Sequence, residues 1–385
     1  MYSRAEITRH GSQASAHQAP CERDGKRPPI KICFVETQSS EGAFFTAEFK
    51  GCEVQFSATA AKVNPDTEIL SVYIHTQIGA EFLDAHSLLR LITLRSTGYD
   101  HVNLAECNER GVTVCNVSGS DANTVAEHTF ALMLAAARRL QEVGEANKQT
   151  HFSYEQFRGF DLNSKTLGVI GAGRIGLRTI HIALAFGMRV LACEPYRPSM
   201  MAEILGVRYV ALDELLQCSQ VISLHAPLTP ETFHLLNRET LARCRPGVII
   251  INTARGGLID TDALIEALDN GTVAGIGIDV LEEESVMQRE ASRIIADNII
   301  EHLHAETTPE EARMKNPERV KEIENLMRNQ QLLKRPNVVF TPHVAFNSIE
   351  AVERINTTTV ENIRAFLASA PINVVTPASS VGGDR

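Results

Sequence analysis

One glycine-rich run and four single polar residues beyond it have the types and spacing of a redox site. Gly171-Ala172-Gly173-Arg174-Ile175-Gly176 is a G-x-G-x-x-G run that follows the apolar strand Leu167-Gly168-Val169-Ile170 and opens a helix. The context, more than the glycines alone, marks a dinucleotide site. Gly171 permits the tight turn and Gly173 lets the backbone approach a pyrophosphate. Gly176 lets the helix pack on the strand, and Arg174 and Ile175 begin the helix whose N-terminus stabilises phosphate charge. The next strand ends at Glu194, about 20 residues beyond the glycines, where dinucleotide sites place an acid. A carboxylate there accepts hydrogen bonds from ribose hydroxyls and repels a 2′-phosphate, so NAD is favoured over NADP, with Arg197 nearby as a counterweight.

Arg255 follows the run Ile250-Ile-Asn-Thr-Ala254, and Asp279 ends the run Ala274-Gly-Ile-Gly-Ile278. Glu284 comes five residues later, and His343 sits in Thr341-Pro342-His343 after Val338-Val-Phe340. Each has an ordinary reading. Arg255 suits a surface salt bridge, Glu284 is one of three consecutive acids with Glu282 and Glu283, and His343 is one of 13 histidines. Their common place after successive strands, where a doubly wound sheet opens its crevice, points instead to catalysis. An Arg holds a carboxylate bidentately and polarises the adjacent carbonyl. A His supported by a carboxylate gives or takes the proton of a secondary alcohol, while a nicotinamide exchanges hydride. The combination describes interconversion of a 2-hydroxy acid and its 2-oxo acid. No residues are assigned to a metal.

The elements that must position these residues alternate. Strand-like runs at 31–35, 53–56, 69–74, 91–94 and 112–115, with helices between several of them, indicate a parallel α/β unit ending near Asn123. A helix over 125–140 is apolar almost all round and needs cover on every side, either inside one subunit or at a domain or subunit interface. A second series has strands at 167–170, 190–193, 221–224, 248–252, 274–279 and 338–340, a doubly wound sheet of about six strands. Residues 285–333 interrupt it as a charged helical excursion, with a capping box at Thr308-Pro309-Glu310-Glu311 and Val320, Ile323 and Met327 at helical spacing.

Composition sets outer bounds. The 385 residues exceed one comfortable core. A net charge of -10 without a Lys/Arg block argues against nucleic acid and anionic membrane. The longest apolar run, near 130–137, is too short to span a bilayer. Eight scattered cysteines without a C-x-x-C pair favour reduced thiols in a cytoplasmic protein. Residues 1–30 read as a disordered leader.

Several runs together carry a family resemblance. They are Arg95-Ser-Thr-Gly-Tyr-Asp-His101, Asn123-Thr-Val-Ala-Glu-His128, Gly168-Val-Ile-Gly-Ala-Gly-Arg-Ile-Gly176 and Ser223-Leu-His-Ala-Pro-Leu-Thr229. Ile251-Asn-Thr-Ala-Arg-Gly-Gly257, Gly277-Ile-Asp-Val-Leu-Glu282 and Thr341-Pro-His-Val-Ala-Phe-Asn347 follow in order. The chain resembles the D-isomer-specific 2-hydroxyacid dehydrogenases over about residues 31–370, with the D-lactate dehydrogenase branch nearest. The resemblance implies two doubly wound parallel-sheet domains with the active site in the cleft between them. A flavodoxin-like substrate domain would comprise 31–122 and 345–385, and a Rossmann NAD domain would comprise 123–344. It implies that Arg255 binds the substrate carboxylate and carbonyl, that His343 is the general acid/base, and that Glu284 pairs with it to favour its protonated form. Asp279 would bond the nicotinamide carboxamide, the backbone at Thr97 and Gly98 would grip the carboxylate, and His225, Pro227, Thr253 and Ala254 would line the cofactor. It also implies a homodimer through helix 125–140.

One departure bears on the substrate. Where lactate enzymes often carry a tyrosine before the segment at Asn123, this chain has Ser120, which suggests a more open or more polar pocket than pyruvate requires. A different reading of the same fold is an NAD-sensing scaffold like the C-terminal-binding-protein corepressors. Those carry a pocket tryptophan and a longer tail, whereas this chain has no tryptophan.

Overall fold

The computed structural model describes residues 28–119, 121–148, 155–195, 206–282, 284 and 317–376. Residues 1–27 of the expected 1–30 leader, Ser120, Arg197 and residues 285–316 of the excursion with the Thr308 capping box lie outside the described residues. Ile30 is buried and its carbonyl accepts the Glu53 N–H, so order begins before residue 31. The chain divides into two compact units, Met1–Val117 with Asn356–Arg385, and Ser118–Ile355. The sequence places the junctions at 122/123 and 344/345, while the division falls at 117/118 and 355/356.

The first unit holds five strands, β1 (Lys31–Val35), β2 (Glu53–Ser57), β3 (Ile69–Val72), β4 (Leu91–Leu94) and β5 (Thr113–Cys115). All pair in parallel in the order β2-β1-β3-β4-β5. Between them run helices α1 (Ser39–Glu48), α2 (Ala80–Ala85) and α3 (Leu104–Glu109). Side chains alternate across a strand, so β1 feeds two cores. Ile32 and Phe34 join Phe45, Phe49 and Ile363 on one face, while Cys33 and Val35 join Leu70, Val72 and Ile92 on the other.

The second unit opens with helices α4 (Ala122–Ala137) and α5 (Leu140–Lys148). Its strands are β6 (Thr166–Ile170), β7 (Arg189–Cys193), β8 (Arg208–Tyr209), β9 (Val221–Leu224), β10 (Val248–Asn252), β11 (Val273–Ile278) and β12 (Val338–Phe340). They form a seven-stranded parallel sheet in the order β12-β11-β10-β9-β6-β7-β8. Every residue of β6, β9 and β10 is buried, as strands covered on both faces must be, and runs such as Val248-Ile-Ile-Ile251 read as continuously apolar for that reason. Helices α6 (Arg174–Ala185), α7 (Leu212–Cys218), α8 (Arg238–Ala242), α9 (Thr261–Asp269) and α10 (Pro317–Leu333) follow, and α11 (Ile349–Leu367) contains the unit boundary.

Four expectations need correction. The sheet has seven strands instead of six, because β8 is two residues long with one exposed, too short to show alternation. The helix expected over 125–140 ends at Ala137. Arg139 enters the left-handed region (φ 53) and its guanidinium binds Glu142 and the Gln156 carbonyl, so the chain restarts as α5. In α10 the buried stripe is Asn325, Leu326, Asn329 and Leu332, and Met327 points to solvent at 63% exposure. Cys33, Cys107, Cys115, Cys193, Cys218 and Cys244 are free thiols, while Cys52 is disulfide-bonded, against the expectation of reduced thiols.

Close packing sets α4 directly on the sheet. A Cβ at Gly277 of β11 would stand 2.9 Å from the Leu132 Cβ and 3.0 Å from Ile251 Cδ1. Only glycine at that position lets the helix lie so near the strand.

Candidate active site

The turn after β6 has the build of a phosphate cradle. Gly171 adopts φ 92, and a Cβ on it would come within 2.5 Å of the Ala226 amide. A Cβ on Gly176 would meet the Gly171 carbonyl at 2.0 Å, so that glycine lets α6 pack against the turn. Gly173 differs, since nothing lies within 4 Å of the place its Cβ would take, and this open face is where a pyrophosphate fits. The turn stands where β6 pairs with both β7 and β9, the point at which strand order reverses and doubly wound sheets bind nucleotides. Glu194, just past β7, accepts the Ala172 N–H at 2.6 Å, so the acid reaches the cradle as a ribose partner must. Of the other two residues of the run, Arg174 turns its side chain to Ser118 Oγ at 2.9 Å, and the Ile175 carbonyl accepts Thr179 Oγ1.

His225 follows β9, with Nε2 2.8 Å from Ser223 Oγ, and burial pushes its imidazole down to about 3. It is therefore neutral across the physiological range, a hydrogen-bonding wall without charge. A histidine NMR titration should show its ring shifts unchanged between pH 8 and about 5, where an unperturbed imidazole titrates near 6.5. Pro227 is exposed, and its carbonyl accepts Thr232 Oγ1 at 2.6 Å.

Three neighbouring strand ends carry the other residues. After β10, Asn252 shapes the turn by accepting the Ala254 N–H at 3.0 Å and donating to the Arg255 carbonyl at 2.8 Å. Thr129 of α4 donates its hydroxyl to the Val125 carbonyl, so the 2.9 Å contact with Thr253 is a bond that Thr253 donates. The next loop lies against this one, because a Cβ on Gly256 would stand 2.0 Å from the Leu281 carbonyl carbon. After β11, Asp279 is 1% exposed, and Glu284 accepts the Leu281 N–H at 3.3 Å. After β12, His343 takes φ 52 and places Nδ1 2.5 Å from Glu284 Oε1. A His with one ring nitrogen bound to a carboxylate has its tautomer set and its other nitrogen, Nε2, left for a substrate. The structure thus joins Glu284 to His343 and brings the Arg255 loop against the segment that leads to Glu284.

Thr97 and Gly98 belong to the first unit, in the turn after β4. Asn116 donates to the Thr97 carbonyl at 2.8 Å and Ser96 to the Gly98 carbonyl at 2.7 Å, which fixes the turn. Just before it, Arg95 is buried at 1% exposure, donates to the Val35 carbonyl, and lies 4.0 Å over the Tyr73 ring with Glu41 at 3.7 Å. Nothing in its sequence position signals that burial. The sequence also assigns no role to Asn252, Thr129 or Thr341. The polar pair Asn252-Thr253 after an apolar strand is the only available hint.

Among the described residues, no group of three or more His, Cys, Asp or Glu could hold a metal, and no helix is long and apolar enough to cross a membrane.

Residues 130–345 match a family model described as D-isomer specific 2-hydroxyacid dehydrogenase, NAD binding domain. The hydroxypyruvate reductase of Thermotoga maritima is 37% identical over 255 residues, 66% of this chain and 82% of its own length. The D-lactate dehydrogenase of Escherichia coli is 41% identical over 227 residues, 58% of this chain and 68% of its own. Among solved structures, a D-lactate dehydrogenase from Aquifex aeolicus complexed with NAD and lactic acid superposes with a TM-score of 0.76 at 32% identity, covering 90% of this chain and all of that one.

Proposed function

The chain belongs to the D-isomer-specific 2-hydroxyacid dehydrogenases, and from that premise we propose that it reduces a small 2-oxo acid to the D-2-hydroxy acid with NADH. The observation that carries the reading is the pair formed by His343 Nδ1 and Glu284 Oε1 at 2.5 Å, in a parallel sheet whose carboxyl-terminal edge also carries the glycine cradle open over Gly173. NAD is the cofactor, and when bound it supplies the hydride for reduction or accepts it in the reverse direction. Gly171, Gly173, Arg174, Ile175 and Gly176 hold its phosphates in this assignment, and Glu194 its adenosine ribose. His225, Pro227, Thr253 and Ala254 line it, and Asp279 faces the carboxamide.

The protein's own work is to orient the substrate and move one proton. Arg255 binds the carboxylate with its two-nitrogen fork and draws electron density from the adjacent carbonyl oxygen. In the first unit, the backbone at Thr97 and Gly98 is the part assigned to the substrate, and the second unit is the one assigned to the cofactor. His343 gives the proton on Nε2 to the oxygen as the alcohol forms, and takes it back in the other direction. Glu284 stabilises the imidazolium and holds the ring plane. The family's relatives include hydroxypyruvate, glyoxylate and lactate enzymes, and Ser120 in place of an aromatic favours an oxo acid with a polar or larger side chain. Steady-state kcat/KM for pyruvate, glyoxylate, hydroxypyruvate, 2-oxobutyrate and phenylpyruvate tests the choice. Hydroxypyruvate should exceed pyruvate, and a clear preference for pyruvate would show that Ser120 does not set selectivity.

Glu194 sets cofactor choice. Glu194→Ser should weaken NADH about tenfold and leave NADPH unchanged or tighter, read by fluorescence titration. An unchanged ratio of the two affinities would take Glu194 out of the ribose site.

The assembly follows from α4. Its Val125, Phe130, Leu132 and Met133 are buried within the unit, yet Ala131 is exposed and Leu134, Ala135 and Ala136 are only half-buried. Ala135 and Ala136 face a cavity of about 480 Å³, shared with Arg139, Glu142, Gly275 and Asn337, at the amino-terminal edge of β10, β11 and β12. This half-buried face of α4 supports the expected homodimer, with the helix ending at Ala137 instead of 140. Light scattering should return twice the 42.3 kDa chain mass, and a 42.3 kDa species at tens of micromolar would contradict it.

A further inference from the structure

Helix α4 carries a polar connection to the loop that bears His343. His128 Nε2 lies 2.9 Å from Thr341 Oγ1, and the Thr341 hydroxyl donates to Asp279 Oδ1 at 2.5 Å. A hydroxyl has one hydrogen, so with that hydrogen on Asp279 the Thr341 oxygen accepts from His128, which must carry its proton on Nε2. Asp279 also accepts the Val344 N–H on Oδ1 and the Ala345 N–H on Oδ2, each at 2.9 Å. Its carbonyl accepts the N–H of His343 at 2.7 Å. The segment 341–345 is therefore wrapped around one buried carboxylate. His343 itself sits at a left-handed φ of 52, a backbone state that persists only when its surroundings impose it.

We propose that His128 is a positioning residue for His343, acting through Thr341 and Asp279. The proposal rests on the assignment of His343 as proton donor. Among these donors to the Asp279 carboxylate, the Thr341 hydroxyl is the one whose direction a side chain from another element controls. The His128 N–H occupies the Thr341 oxygen and so turns its hydrogen to Asp279. Without that donor the hydroxyl is free to rotate, the carboxylate loses one of its anchors, and His343 samples orientations away from Glu284. Buried networks of this kind respond as a unit, which makes the loss non-additive.

His128→Ala should lower kcat about tenfold or more while KM for the oxo acid and NADH affinity move less than about twofold, the pattern of a misaimed acid/base group. His128→Gln, whose amide can donate from nearly the same place, should recover most of the loss. Thr341→Val should match His128→Ala, and the double variant should be no worse than either. In the ligand-free protein, long-range ¹H–¹⁵N correlation should show His128 as the Nε2–H tautomer. Equal impairment of the Ala and Gln variants, additive losses, or an Nδ1–H tautomer would overturn the proposal. An active wild type with an unimpaired His128→Ala variant overturns this proposal alone, whereas a wild type that turns over no 2-oxo acid overturns the functional reading beneath it.

Discussion

Replacing His343 with alanine lowers the rate of 2-oxo acid reduction by about 10²–10⁴-fold, the range general acid–base groups supply. NADH binding stays close to wild type, because the glycine turn and Glu194 lie on other strands, β6 and β7, than the histidine loop after β12. The expected loss is large because His343 cannot be replaced by a neighbour. Its Nδ1 is committed to Glu284 at 2.5 Å, and the backbone around it is fixed by Asp279. Glu284→Gln keeps the shape of that contact but removes the charge that supports the protonated ring. It should therefore impair reduction, but less than His343→Ala does. Single-turnover NADH oxidation, with binding followed separately by fluorescence, measures both variants. Full activity in His343→Ala would end the assignment.

Arg255→Ala has the second largest expected effect. Removing one partner of a hydrogen-bonded charge pair costs about 2–5 kcal/mol, which corresponds to roughly 30–5,000-fold in kcat/KM at about 1.36 kcal/mol per factor of ten. The loss should appear in KM as well as kcat, because the same guanidinium binds the ground-state carboxylate and polarises the carbonyl. Arg255→Lys keeps the charge but loses the planar fork, so it should recover only part of the activity. Reduction of an oxo compound lacking a carboxylate should be less sensitive to either change, because only the contact with the carbonyl oxygen is then at stake. Wild-type kcat/KM in Arg255→Lys would show that a point charge suffices and would remove the bidentate anchor from the mechanism.

The parts of this protein that are legible in its sequence share one property: they are local. The cradle at 171–176 can be read because strand, glycines and helix are contiguous, and its open face over Gly173 matches that reading. Arg255, Asp279 and His343 can be found because each closely follows an apolar strand, and parallel sheets put such positions on one edge. What escapes depends on contacts between distant residues. The helix expected to run to 140 stops at 137 because Arg139 finds the Gln156 carbonyl, a partner that no periodicity encodes. Met327 fits a helical stripe, yet α10 turns Leu326 and Asn329 inward because it packs on α9 and β12. His128 lies in a family-like run without an assigned role, since its partner Thr341 is 213 positions away. The short β8 is invisible because two residues cannot display a period.

In the mechanism proposed, the chain presents one face of the 2-oxo carbon to the hydride of NADH and supplies a proton from His343 to the carbonyl oxygen, and the product's handedness reports that orientation. Chiral chromatography of the product formed from hydroxypyruvate or pyruvate, with NADH as the limiting reagent, reads it out. One equivalent of the D-2-hydroxy acid is expected for each NADH consumed. Bound NADH that remains unconsumed, or an L or racemic product, would contradict the mechanism.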